Sequence, residues 1–250
     1  MKDKFQAFLI HLAISALIAV IAIIFVFFVW YPSPLHEAVG VTEIFLIVLA
    51  VDITIGPVIT FIVFKKNKPS LPFDLAVIAL LQLSALGYGM STVFEGRPAF
   101  VVFNSDRFDV TRASDLNPES LKTAEQQGNK YGRVSWFAPR WVGSVKSKDL
   151  ARRKEILFSS VQGGPDWPQL PELFVPLSQV KTLILKRAQP FQKIYDLYKF
   201  KETRLSALEP WKSKKDVKWL ALRGPVKDMI VLVNAKTAEI IKVIDISPWP

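Results

Sequence analysis

The 250-residue sequence contains no cysteine. That absence excludes disulfides, thiolate nucleophiles, cysteine-ligated zinc and iron–sulfur clusters. Histidine is almost as scarce, with only His11 and His36 present. A histidine-based triad or metal site in the C-terminal part is excluded with it. No phosphate-cradling Gly-Lys-Ser pattern accompanies Gly163-Gly164, and neither a G-x-S-x-G nor an H-E-x-x-H motif occurs. Permanent charge is missing from residues 5–35. Within that stretch residues 5–30 would form a helix of about 39 Å, against a hydrocarbon core of about 30 Å. A cleaved signal peptide has a shorter apolar region and a small-residue cleavage site. Here Trp30-Tyr31-Pro32 follows instead, so the segment is expected to be an uncleaved anchor with an aromatic interfacial end.

Two further apolar runs follow. Residues 44–64 are interrupted only by Asp52, and residues 75–94 carry no charge. The reading is therefore three spans, at about 5–30, 43–64 and 74–94, within a transmembrane region 1–95. Lys65, Lys66 and Lys68 lie between the second and third spans, Lys2 and Lys4 precede the first, and the connection from Trp30 to Val41 has no basic residue. The positive-inside rule then puts the N-terminus in the cytoplasm and residues 96–250 outside. In a bacterium this is a multi-pass inner-membrane protein with a periplasmic domain.

The first 94 residues hold five basic and five acidic side chains, so the whole net charge of +10 belongs to the rest. Residues 99–103 and 107–110 alternate around Asn104-Ser105-Asp106 and predict a hairpin. Asn117-Pro118-Glu119 opens a helix that Gly128 stops. Residues 147–161, 178–187 and 191–200 are further helix candidates, and 219–222, 229–233 and 239–246 form a strand meander. The proline-rich segment 163–176 reads as an extended surface loop. The expected fold class is three transmembrane α-helices followed by an α+β extracytoplasmic domain with an antiparallel sheet.

Asp52 is the most informative residue, because a carboxylate in mid-span costs a few kcal/mol. Pro57, one turn later, removes a backbone hydrogen bond. Gln82 lies at equal depth on the third span and is a candidate partner. Three roles are open to Asp52: a protonated packing device bonded to Gln82 or to a backbone carbonyl, a contact for a ligand or partner helix, and catalysis or proton movement. An aspartyl-protease pair is excluded. Asp74, the other candidate, starts the third span, while Asp52 lies about 18 Å of helix rise from the end of the second. Asp74 reads as a helix cap. His11 reads as neutral and hydrogen-bonded within the membrane. In the outer domain Arg133, Arg140, Lys146, Lys148, Arg152, Arg153 and Lys154 form a basic stretch interleaved with Trp136, Phe137 and Trp141. It is either a solvated face or a surface for anionic lipid or an acidic protein partner. The inferred compartment argues against nucleic acid.

Trp30-Tyr31-Pro32, Val51-Asp52-Ile53-Thr54-Ile55-Gly56-Pro57 and the run from Asp74 to Gln82, with Tyr88-Gly89, Arg97-Pro98 and Pro248-Trp249, resemble the TfpX/TfpZ-type type IV pilin accessory proteins. The likeness is dense from Trp30 to about Phe108 and thin from there to the last strands. Ala238 stands where that family's last hairpin turn has glycine. The resemblance implies a non-enzymatic inner-membrane factor that assists the major pilin into pili, with no catalytic residue, metal or cofactor to carry over. The competing expectations are an envelope enzyme acting on pilin or a lipid-linked substrate, and a membrane-anchored sensor or cell-wall binding domain.

Overall fold

The computed structural model describes residues 1–198 and 206–249. Helix α1 (Lys2–Ile24) runs on as a π-helical turn, Phe25–Trp30. The short α2 (Leu35–Val39) ends at Gly40, whose φ of 78° starts α3 (Val41–Val63). A side chain at Gly40 would also strike Val226, 2.8 Å from the position of a Cβ. Helix α4 (Leu71–Glu95) carries a proline in its first turn. There Asp74 accepts hydrogen bonds from Lys68 and Ser70. Lys2–Trp30, Val41–Val63 and Leu71–Glu95 are each long and apolar enough to cross a membrane.

Helix α3 packs between α1 and α4. On α1 and its π-helical extension the buried positions Ser15, Ala19, Ala22 and Val26 recur at helical spacing, and small side chains on α1 let the helix axes approach. The opposite faces leave Ile14, Leu17, Ile21, Ile47, Ile62 and Leu80 uncovered. Such uncovered apolar faces suit hydrocarbon better than water.

Helix α4 passes through Gly96-Arg97 into β1 (Pro98–Asn104), which pairs with β2 (Arg107–Arg112) as a hairpin. The remaining strands are β3 (Arg140–Ser144), β4 (Phe174–Val175), β5 (Gln189–Pro190), β6 (Val217–Arg223), β7 (Met229–Asn234) and β8 (Ile240–Ile244). They form one sheet in the order β4-β3-β1-β2-β6-β7-β8, with β5 also against β6. The sheet is mixed, which corrects the antiparallel expectation. β3 runs parallel to β1, and β6 runs parallel to β2. Both parallel pairings join distant segments and leave no hairpin signature in the sequence.

Helix α5 (Pro118–Gln126) starts at Asn117, which accepts the Ser120 amide at 2.8 Å. Helices α6 (Leu150–Val161) and α7 (Leu177–Arg187) fall within a residue or three of expectation. Helix α8 covers Phe191–Tyr198, and the last two residues of the expected 191–200 helix lie outside the described residues. Segment 163–176 is not an extended surface loop. It folds into two 3-10 turns, Trp167–Gln169 and Pro171–Leu173, followed by β4, and it buries Leu170 and Phe174. Pro168 and Pro171 sit at the starts of these turns, where a missing N–H costs nothing. Asn129 donates to the Pro171 and Phe174 carbonyls.

One hydrophobic core joins the spans to the sheet, running from Ala22, Tyr31 and Phe45 to Val101, Phe108 and Val231. Polar ties reinforce it. Tyr31 Oη donates to the Val93 carbonyl at 2.6 Å, at the C-terminal end of α4. The Ala38 carbonyl accepts the amides of Val226 and Lys227 at 3.0 and 3.2 Å. Lys227 Nζ reaches Glu37 at 2.7 Å and Asp245 at 2.6 Å.

The Lys227 ammonium holds the Glu37 carboxyl below its ordinary value against the cost of its burial. Burial alone would lower Lys227, and its bonds to Asp245 and Glu37 outweigh that and raise it. A carboxyl depressed in the folded state stabilises above its unfolded pKa and loses that contribution as pH falls through the folded one. A raised lysine keeps its contribution until the pH climbs through its own folded value. The seam should therefore loosen in acid, below about pH 4. After correction for intrinsic exchange, the Val226 and Lys227 amides should lose hydrogen-exchange protection there, and Lys227→Met should abolish the step. Protection independent of pH would contradict this.

Candidate functional site

The facing sides of α3 and α4 enclose a cleft of about 560 Å³. Its walls repeat at helical spacing, with Val51, Ile55 and Ile59 on one side and Val77, Leu81 and Ala85 on the other. Asp52 and Gln82 also line it, and Asp74 stands at its Phe73 end.

Gln82 is the hub of a hydrogen-bond chain across the three helices. Its Nε2 donates to the main-chain oxygen of Asp52 at 2.9 Å, and its Oε1 lies 2.7 Å from His11 Nε2. His11 Nδ1 lies 2.6 Å from the buried Thr60 hydroxyl. Hydrogen-bond logic assigns the protons. The Asp52 carbonyl only accepts, so the Gln82 NH₂ faces it. Gln82 Oε1 then requires a donor, which makes His11 Nε2 the protonated nitrogen. With the ring neutral, Nδ1 accepts from the Thr60 hydroxyl, and no charge is placed among these apolar helices.

The local sequence makes room for this hub. A Cβ on Gly56 would lie 2.0 to 2.1 Å from the Gln82 amide atoms, so only glycine admits that side chain. Pro57, inside α3, removes the helical donor of the Ile53 carbonyl and loosens the same turn. Gln82 and Asp52 are thus brought together through the Asp52 main chain. The Asp52 carboxylate opens on the cleft, with the Gln82 amide and His11 as polar neighbours. Sequence reasoning found His11 as a hydrogen-bonded residue but not its partner Thr60. The available signal was Gly56-Pro57 one turn before it.

Most of the basic residues line two separate depressions. Arg133 and Arg140 share a depression of about 760 Å³ with Tyr131 and Trp141. Arg133 faces Glu125 at 3.5 Å, and Arg140 donates to the Lys130 carbonyl at 3.1 Å. Lys146, Lys148 and Arg152 line a second depression of about 900 Å³ that also holds Glu119 and Glu172. Arg152 pairs with Glu172 at 2.9 Å and Glu155 at 2.8 Å. Arg153 Nε donates to the Ser147 carbonyl, and Lys154 is exposed on α6. Among the described residues no group of three His, Asp or Glu is placed to hold a metal ion.

Three long apolar helices joined by a common core to a mixed-sheet α+β domain define a class of helically anchored, two-part proteins. Comparison with known proteins narrows it. The family model described as "Fimbrial assembly protein FimB" matches residues 1–40. The chain is 30% identical over 190 residues to "Fimbrial assembly protein, serogroup I" of Dichelobacter nodosus, covering 75% of this chain and 71% of the relative. It is 27% identical over 188 residues to the serogroup E1 protein of the same organism, covering 74% and 72%. No solved structure matches. The chain belongs to the fimbrial assembly protein family.

Gln82→Leu strands the His11 N–H and one bond of the Asp52 carbonyl and should cost about 1 to 2 kcal/mol. Gly56→Ala, which expels the amide without deleting it, should act in the same direction. Asp52→Leu keeps the main-chain acceptor and should stay near wild-type stability. Thermal unfolding in detergent checks the series. A Gln82→Leu variant as stable as wild type would remove the hub from the account.

Proposed function

We propose that the protein is an inner-membrane, chaperone-like accessory factor that assists the assembly of a type IV pilin into pili. The cleft between α3 and α4 receives the apolar helix of the pilin, and the extramembrane domain, on the periplasmic side, meets its globular head. The family, whose relatives carry the name of fimbrial assembly, supports the process. The TfpX/TfpZ-type motifs around Asp52, Gly56 and Gln82 support the narrower role. The Lys65, Lys66 and Lys68 loop supports the orientation.

The observation that carries the reading is the Asp52 carboxylate, beside Gln82, on a mostly apolar cleft wall. Helix packing uses the Asp52 main chain, and the carboxylate, beside the Gln82 amide, also faces what enters the cleft. A carboxylate at that depth asks for a cationic or hydrogen-bonding partner, and the amino terminus of an incoming apolar helix supplies one. Holding such a helix takes lateral van der Waals contact and one polar anchor, with no nucleophile or cofactor.

Purified full-length protein should capture its cognate major pilin in detergent. Asp52→Asn should accumulate normally yet lose most of that capture, about tenfold or more for one lost charge-assisted bond. No capture by the wild type would overturn the pilin reading. Full capture by the Asn variant would remove Asp52 from the contact.

A further inference from the structure

We propose that the loop at residues 135–139 of the extramembrane domain is a second membrane anchor, seated in the lipid headgroup boundary beside the ends of α1 and α4. The tip of the loop carries two adjacent aromatic side chains, Trp136 and Phe137, which are 72% and 64% exposed. Paired exposed aromatics are costly in water and are favoured where hydrocarbon meets headgroups.

The depth of the loop is fixed by contacts to the spans. Trp30, the last residue of the first apolar helix, donates its indole N–H to the Trp136 carbonyl at 3.1 Å. The Phe94 ring, in the last turn of α4, lies between the two indoles, 5.0 Å from Trp30 and 5.2 Å from Trp136. Arg97 locks the arrangement, with its guanidinium 3.6 Å over Phe94 and a donated bond to the Ser135 carbonyl at 2.8 Å. Trp136 thus extends an aromatic row begun by two span ends, at their level. Arg133 and Arg140 flank the tip and supply the cations that anionic headgroups favour. The lipid boundary accounts for all three features together: the aromatic tip, its level and its basic flank.

The inference rests on the three helices lying in a membrane, and the test separates the two. The cysteine-free chain allows single nitroxide labels at Ala138→Cys in the loop, Phe28→Cys on the first span and Val161→Cys at the exposed end of α6. The full chain is reconstituted in vesicles of phosphatidylethanolamine and phosphatidylglycerol. Label accessibility to oxygen and to a water-soluble nickel chelate is then compared. Labels at 28 and 138 should favour oxygen, and the label at 161 should favour nickel. Replacing both Trp136 and Phe137 by serine should turn the label at 138 toward nickel. A nickel-favouring label at 138 beside an oxygen-favouring one at 28 would overturn the anchor alone. A label at 138 closed to both reagents would overturn it in favour of a protein contact. A nickel-favouring label at 28 would overturn the membrane placement beneath it.

Discussion

The packing of the three long apolar helices depends on one amide. Gln82 bonds His11 on α1 and the Asp52 carbonyl on α3 while belonging to α4. Apolar helices in lipid gain little from contact with one another, since lipid tails are as apolar as their side chains. A hydrogen-bond chain that all three must share supplies register and orientation. It dictates glycine at position 56, where any Cβ collides with the amide. It also fixes the rotation of α3 that turns the Asp52 side chain to the cleft. In the proposed function, the bond that assembles the helices and the group that meets the client are the main chain and side chain of one residue.

The second constraint is that the helices and the sheet are not independent. Tyr31 is 1% exposed and bonds the end of α4, and the Ala38 carbonyl receives two amides from the β6–β7 turn. Gly224 permits that approach, because its Cβ would lie 2.7 Å from the Ala38 oxygen. A client helix lodged between α3 and α4 would therefore hold its head at a fixed position relative to the sheet.

The three long apolar helices were legible because length and absence of charge suffice to pick them out. The β1–β2 hairpin, the β6–β8 meander and the Asn117 cap were legible because their signals are local. β3 was missed: it is five residues long, with only Val142 and Gly143 buried, inside a basic stretch that reads as surface. Its place is set by parallel pairing to β1, which only the folded chain brings about. At Ala238, where the resemblance leads one to expect glycine, the backbone is left-handed all the same, with φ 62°. A left-handed alanine costs about 1 to 2 kcal/mol, and burial of its methyl group returns about 0.8 kcal/mol. The Asp52–Gln82 neighbourhood was legible from depth alone. Its third and fourth members, His11 and Thr60, depended on helix rotation that no periodicity in such uniformly apolar runs reveals.

The most direct test of the account is photo-crosslinking in piliated cells. A benzophenone side chain is placed at Leu81, on the cleft wall, or at Leu17, on the outward face of α1. The account requires that pilin be captured from position 81 and not from position 17. Equal capture from both positions, or none from position 81 in cells that assemble pili, would contradict it.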